Sequence, residues 1–169
     1  MSDVRIKLRA VEPEDVDFLL DCESDRRNAR WSDYRAPFSR NQLLTYALTY
    51  DADPFASGNL RLVIETEDKN RVGILDLYNI SDKDSKAYIG ICIHSDFRRQ
   101  KYGISALNEL IIYARERLGL NQLVAKVAET NLAGLQLFTT SGFISIATLP
   151  SWHRIGSCFH AFRLLHLPL

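Results

Sequence analysis

The sequence predicts a single mixed α/β domain spanning residues 1–169, and three observations carry that reading. The 169 residues are 46% apolar and 25% charged, the make-up of an ordinary globular chain. A chain of this length buries roughly 70% of its unfolded surface on folding. The middle of the chain is a series of strand-like runs separated by short polar turns. A long helical stripe follows, and then strand and helix signals alternate to the end.

Each element has its own justification. Val4, Ile6 and Leu8 alternate with Arg5, Lys7 and Arg9, the period of a half-buried strand. Glu12-Pro13-Glu14-Asp15 reads as a helix start, with proline in the first turn and acids at the positive end of the dipole. Val16, Leu19 and Leu20 supply that helix's apolar face. The polar and aromatic stretch 26–38 reads as an ordered loop, and Ser39 as the cap of a second helix carrying Leu43, Leu44 and Ala47. Residues 60–65, 72–80 and 87–94 form an antiparallel meander broken at 68–70 and 81–85. Leu107, Leu110, Ile111, Ala114 and Leu118 then share one helical stripe, with Gly119 as its stop. Leu123, Ala125 and Val127 make another strand, and residues 131–140 a short helix with Leu135 and Phe138 inward. Two last strands, 143–147 and 158–164, flank a turn reading Trp-His-Arg-Ile-Gly at 152–156.

Composition excludes several function classes. Lys plus Arg and Asp plus Glu number 21 each, so no global field steers the chain onto nucleic acid or an anionic membrane. No apolar run approaches membrane length, and the first nine residues lack a signal peptide's apolar region, so a cytoplasmic chain is expected. Cys22, Cys92 and Cys158 are odd in number and far apart, which suits buried free thiols better than disulfides or a zinc ribbon. No pair among His94, His153, His160 and His166 has metal-site spacing, so no metal is expected.

The segment richest in chemistry is a strand, a basic turn and a long helix: Ile91-Cys92-Ile93-His94-Ser95-Asp96-Phe97-Arg98-Arg99-Gln100-Lys101-Tyr102-Gly103-Ile104. A turn feeding a helix N-terminus aims unpaired backbone N–H groups at one point, at the positive end of the dipole. Arg98, Arg99 and Lys101 add local positive charge. Together these suit a pyrophosphate, although a solvated basic turn looks the same from charge alone. Neither the P-loop nor the dinucleotide glycine signature is present, so kinase and dinucleotide readings fall away.

These residues resemble the GCN5-related N-acetyltransferases (GNAT), whose signature after the fourth strand is Arg/Gln-x-x-Gly-x-Gly/Ala. Arg98-Arg99-Gln100-Lys101-Tyr102-Gly103 matches it with Lys101 in the middle glycine's place. A second family pattern, Asn-x-x-Ala/Ser-x-x-Leu/Phe-Tyr-x-x-x-Gly-Phe, is matched by residues 131–143, with Asn131 first, Gly134 in the alanine slot and Phe138 where the tyrosine stands. The resemblance covers nearly the whole chain and is nearest to the spermidine and ribosomal-protein N-terminal acetyltransferases.

The resemblance implies a mostly antiparallel sheet of about seven strands with helices on both faces. It also implies acetyl-CoA as cosubstrate, with its pyrophosphate on Arg98, Arg99, Gln100, Lys101, Tyr102, Gly103 and Ile104. Its pantetheine and acetyl oxygen would meet the amides of Ile91, Cys92 and Ile93, and Asn131, Leu135 and Phe138 would complete the site. The implied reaction is direct acetyl transfer to a primary amine of a polyamine, an amino sugar, another small amine or a protein N-terminus.

Departures from the family pattern shape the catalytic expectations. Phe138 has no hydroxyl with which to protonate the departing sulfur, and Tyr88, Tyr102 or Ser141 are the substitutes at hand. Tyr88 stands where relatives carry an acid, which leaves Asp76, an acid in an apolar strand, as base or amine-binding anion. A catalytically impaired CoA-binding sensor or structural subunit is the alternative. Trp31, Tyr34 and Phe38 are candidates for an acceptor pocket, and Asp21, Glu23, Asp25 and Asp33 either attract a polycation or are simply solvated. A homodimer or higher homo-oligomer is the expected assembly, with no nucleic-acid or membrane partner.

Overall fold

The computed structural model describes residues 4–31, 36–49 and 53–169. In chain order they form β1 (Ile6–Ala10), α1 (Val16–Ser24), the short α2 (Arg26–Ala29), α3 (Arg40–Thr49), the short α4 (Pro54–Ser57), β2 (Asn59–Thr66), β3 (Arg71–Ser81) and β4 (Lys86–Ile93). Then come α5 (Tyr102–Glu116), β5 (Gln122–Ala128), α6 (Leu132–Thr140), β6 (Ile144–Ile155) and β7 (Cys158–Pro168). The strands make one seven-stranded sheet in the order β1-β2-β3-β4-β5-β7-β6. All neighbours are antiparallel except β4 and β5, whose parallel pairing requires a crossover, and α5 provides it. Among the described residues no helix is long and apolar enough to cross a membrane.

Side-chain alternation along the strands divides the core in two. Leu62, Leu75, Ile89 and Leu123 lie on one face beneath Leu107, Leu110 and Ala114 of α5. Val63 and Ile74 lie on the other, beneath Val16 and Leu19 of α1 and Leu43 of α3. Ser39 caps α3 as expected: its hydroxyl accepts from the Gln42 N–H at 3.1 Å, and its own N–H donates to Gln42 Oε1 at 2.8 Å. Gly119 stops the turn after α5 with φ 63°.

Four expectations are corrected. The stretch read as loop contains α2, a single helical turn capped by Asp25, whose carboxylate accepts from the Arg27 N–H at 2.9 Å. So short and polar a helix has no apolar period to announce it. The turn α4, started by Asp53 and Pro54, was not expected at all. Residues 152–155 belong to strand β6, and the chain reverses at Gly156, where φ is 62°. A bulge between Leu149 and His153, with Ser151 at φ 50°, breaks the alternation that would have shown that strand in the sequence. Cys158 is exposed at the hairpin tip, whereas Cys22 is buried and Cys92 half-buried, and all three are free.

One ion cluster pins the N-terminal layer. Asp15 is 1% exposed at the start of α1. Arg9 of β1 grips its carboxylate with both terminal nitrogens, at 2.7 and 2.9 Å, and donates its Nε–H to Glu65 of β2 at 2.6 Å. The Glu12 N–H also donates to Asp15, at 2.9 Å. Burial alone would raise the Asp15 pKa, but the bonds from Arg9 and the Glu12 N–H outweigh it and hold the carboxyl below its ordinary range. Removing one partner of such a pair strands a buried charge. Asp15→Ala is expected to cost about 3–5 kcal/mol, or roughly 6–20 °C in Tm, measured by thermal unfolding. Because the folded pKa is depressed, Asp15 contributes its stability above about pH 4 and loses it as pH falls further, so the gap between wild type and Asp15→Ala should narrow in acid.

Candidate active site

The site begins where two strands part. β4 and β5 pair at only three positions, Lys86 with Gln122, Ala87 with Leu123 and Tyr88 with Val124. Beyond these, β4 continues along β3 as far as Ile93, while β5 pairs only with β7. The His94 N–H donates to Val72 of the β3 side at 2.9 Å. By strand alternation Cys92 and Gly90 also bond toward β3, so Ile91 and Ile93 turn their amides to the open edge. Of the three amides the resemblance nominates, the two isoleucines therefore reach the gap. The Cys92 side chain faces the layer of α1 and α3.

The α5 N-terminus closes one end of this gap. Gly103 lets it lie close: a Cβ there would stand 3.3 Å from Leu137 of α6 and 3.6 Å from Ile93. Among the described residues no carbonyl accepts from the N–H groups of Tyr102, Gly103 and Ile104. Arg99 and Lys101 both hold left-handed backbone, with φ 61° and 68°, which curls the turn around those amides. Their side chains are exposed and form no ion pair among the described residues. Gln100 donates to the Asp96 carbonyl at 3.0 Å, and Tyr102 packs edge-on to Phe97. Arg98 is differently engaged: its Nε–H donates to the Ile93 carbonyl at 3.1 Å, and Nη2 bonds Asn28 and lies 3.5 Å from Asp25. It ties α2 to the end of β4.

On the α1 side the gap opens into a cleft of about 750 Å³. Cys22 and Glu23 of α1, Asn28 of α2, Trp31, Phe38 and Tyr46 of α3 wall it; Arg61, Asp76 and Gly90 floor it, and Lys126 and Phe162 lie opposite. Trp31 and Phe38, nominated together from the sequence, thus line one cleft, while Tyr34 and Asp33 fall outside the described residues. The floor is a row across three strands, because Arg61 pairs in register with Asp76 and Asp76 with Gly90. Arg61 grips Asp76 twice, at 2.6 and 3.0 Å, and reaches Glu23 at 3.0 Å. Burial pushes the Glu23 carboxyl above its usual range, Arg61 opposes this, and the charge of Asp76 adds to it. One cation between two carboxylates leaves the cluster with a net charge of −1 when both are ionised.

Beside this row, Asn28 donates to Cys92 Sγ at 3.0 Å. The neighbouring Cys22 thiol and the Arg98 charge hold the Cys92 thiol below its ordinary range, while the bond to Cys92 and burial push Cys22 up. His153 of β6 fixes the far side, its Nε2–H donating to the Arg30 carbonyl at 2.9 Å beyond α2.

Other nominated residues lie elsewhere. The Tyr88 ring sits 5.6 Å from Tyr78, with Lys126 Nζ 5.8 Å from each ring, and it does not line the cleft. Asn131 caps α6, its Oδ1 accepting from Gly134 at 3.1 Å. Leu135 packs against the core, and Phe138 is buried edge-on to Phe143 at 5.1 Å. Ser141 Oγ is buried without a hydrogen-bond partner among the described residues. The sequence named Glu23 only among acids that might draw a cation. Its pairing with Arg61 is long-range, and the one available signal was that Arg61 and Asp76 are charges inside apolar strands.

Residues 5–144 match the model of the acetyltransferase (GNAT) domain. The chain belongs to the GNAT acetyltransferases. No curated protein matches it significantly in sequence. Its fold is similar to that of a chimera of the spermidine N-acetyltransferase of Vibrio cholerae and hSSAT, with a TM-score of 0.85 at 20% identity over 96% of this chain and 95% of that one. It is likewise similar to the Vibrio cholerae spermidine N-acetyltransferase in complex with CoA and spermine, with a TM-score of 0.84 at 19% identity over 96% and 95% of the two chains. The acetyltransferase thus has the predicted seven-stranded, mostly antiparallel GNAT sheet with helices on both faces.

Lys101 bears a cost that the family's glycine avoids, since a β-carbon disfavours φ 68° by about 1 kcal/mol. Lys101→Gly should therefore raise Tm by roughly 2–4 °C in thermal unfolding.

Proposed function

We propose that this GNAT protein transfers the acetyl group of acetyl-CoA directly to a primary amine, of which a polyamine, another small amine and a protein N-terminus are the candidate bearers. The observation that carries the reading is the anionic row of Glu23, Arg61 and Asp76 flooring a cleft that opens on the free edge of β4. A protonated amine is drawn to a net negative charge, and a half-buried cluster is screened less than a surface one. The polyamine option is supported by the fold's likeness to spermidine N-acetyltransferases.

The residues present fit acetyl-CoA. The N–H groups at the start of α5, with Arg99 and Lys101, would hold its pyrophosphate. The Ile91 and Ile93 amides would take the pantetheine and the thioester oxygen, where a fixed N–H donor favours developing negative charge. When bound, acetyl-CoA supplies a thioester whose carbonyl an amine attacks with loss of the CoA thiolate. A thiol of pKa ~8.5 leaves without a dedicated acid, so Phe138 in the tyrosine slot is compatible with turnover. Asp76 is assigned here to holding Arg61 and drawing in the ammonium. Tyr78 and Lys126 are assigned to shaping the far wall, and Tyr88 to packing against them from outside the cleft. A cytoplasmic location is part of the proposal, supported by three free cysteines. So is a homodimer or higher homo-oligomer, for which exposed Ile144, Ile146 and Phe159 on the edge hairpin are available.

The rival reading, a CoA-binding sensor without turnover, is motivated by the buried Phe138. Calorimetric titration with acetyl-CoA, followed by CoA-release assays with spermidine, an amino sugar and a peptide bearing a free N-terminus, separates the two. Micromolar binding and amine-dependent CoA release are expected; binding without release favours the sensor, and no binding at millimolar ligand overturns both. The double change Arg99→Ala with Lys101→Ala should weaken acetyl-CoA binding about 10–100-fold and flatten its salt dependence. Asp76→Asn should raise KM for the amine about tenfold with acetyl-CoA affinity unchanged, a difference of about 1.4 kcal/mol.

A further inference from the structure

The cleft holds two carboxylates, and their surroundings make them unequal. Asp76 is held by a two-bond fork from Arg61, at 2.6 and 3.0 Å. Glu23 receives one ion pair from the same guanidinium, at 3.0 Å, and its side chain is 15% exposed against 29% for Asp76. Both Asp76 oxygens are committed to charge-assisted bonds with Arg61, whereas among the described residues only one Glu23 oxygen is. A more buried carboxylate with a single bond gives up less on becoming neutral. Glu23 also projects from α1 over the cleft, facing the floor whose Gly90 and Ile91 lead to the open edge of β4.

We propose that Glu23 is the general base of the acetyl transfer, taking the proton from the acceptor ammonium in the cleft. This rests on the amine-acetylation reading above. The Glu23 carboxylate accepts one proton from the ammonium, leaving a neutral amine whose lone pair forms the new C–N bond as the C–S bond of the thioester breaks. The second N–H proton leaves to the departing thiolate, and Glu23 returns its own to water. Arg61 is a positioning residue: tied to Asp76 on β3, it fixes where the Glu23 carboxylate lies.

The charges around Glu23 agree with this role. Arg61 on β2 favours the ionised carboxylate, Asp76 on β3 and burial oppose it, and the net direction is upward. Asp21 and Cys22 lie on the same helix, the Cys22 and Cys92 thiols lie close enough to feel the Glu23 charge, and Lys126 lies across the cleft on β5. A carboxyl raised above its usual range is a better match to an amine of pKa ~10.4 than an unperturbed one.

The test compares wild type, Glu23→Gln and Glu23→Asp in a CoA-release assay across pH, with spermidine and propylamine as acceptors. Glu23→Gln is expected to lower kcat about 10²–10⁴-fold at neutral pH, with the deficit shrinking as pH rises past about 9 and the amine deprotonates unaided. Glu23→Asp should recover part of the rate. Calorimetry should show acetyl-CoA affinity within about twofold of wild type in both variants, and thermal unfolding should show both folded. Equal kcat in Glu23→Gln, or a deficit constant across pH, overturns the role of Glu23 while leaving amine acetylation standing. A wild type that binds acetyl-CoA but releases no CoA with either amine overturns the acetylation reading, and Glu23's role with it.

Discussion

β4 and β5 stop pairing after Tyr88 and Val124, and the site depends on that break. A buried strand edge normally has each amide matched across the ladder, because an unpaired one costs free energy. Here the cost is accepted at Ile91 and Ile93, and the edge stays open because α5 crosses on one face and α1 to α3 build the cleft on the other. Edge amides, helix-start amides and the carboxylate row then converge from three different parts of the sequence. None of the three alone would define a binding site.

Charge is distributed on the same plan. The chain is neutral overall, with 21 residues of each sign, so attraction to any ligand is local. The turn before α5 is positive, with Arg99 and Lys101 forming no ion pair among the described residues, while the Glu23–Arg61–Asp76 row carries one net negative charge when both carboxylates are ionised. That distribution suits the proposed reading, in which an anionic cosubstrate and a cationic acceptor meet differently charged parts of the site.

Much of this was legible in the sequence wherever it depends on local chemistry. The meander, the Ser39 cap, the α5 stripe and its Gly119 stop each follow from residues within a few positions of one another. The basic turn before α5 was legible for the same reason, and the structure adds the left-handed backbone of Arg99 and Lys101. The misses are of another kind. α2 and α4 are single turns too short to show a period, and the bulge at Ser151 erased the alternation of β6. The Glu23–Arg61–Asp76 row joins a helix to two strands, and only the register Arg61 to Asp76 to Gly90 reveals it. Long-range pairing of this sort leaves no spacing to read.

The bond from His153 to the Arg30 carbonyl bears on the order of assembly, because it joins residues 123 positions apart. Closing so long a loop carries an entropic cost that only late, cooperative contacts repay. On a ribosome the chain would have made its meander, the basic turn and α5 before β6 emerges, while the wall beyond α2 still lacked its anchor. The basic turn and the open edge of β4 can therefore mature first, and the wall of the cleft beyond α2 waits for the last hairpin.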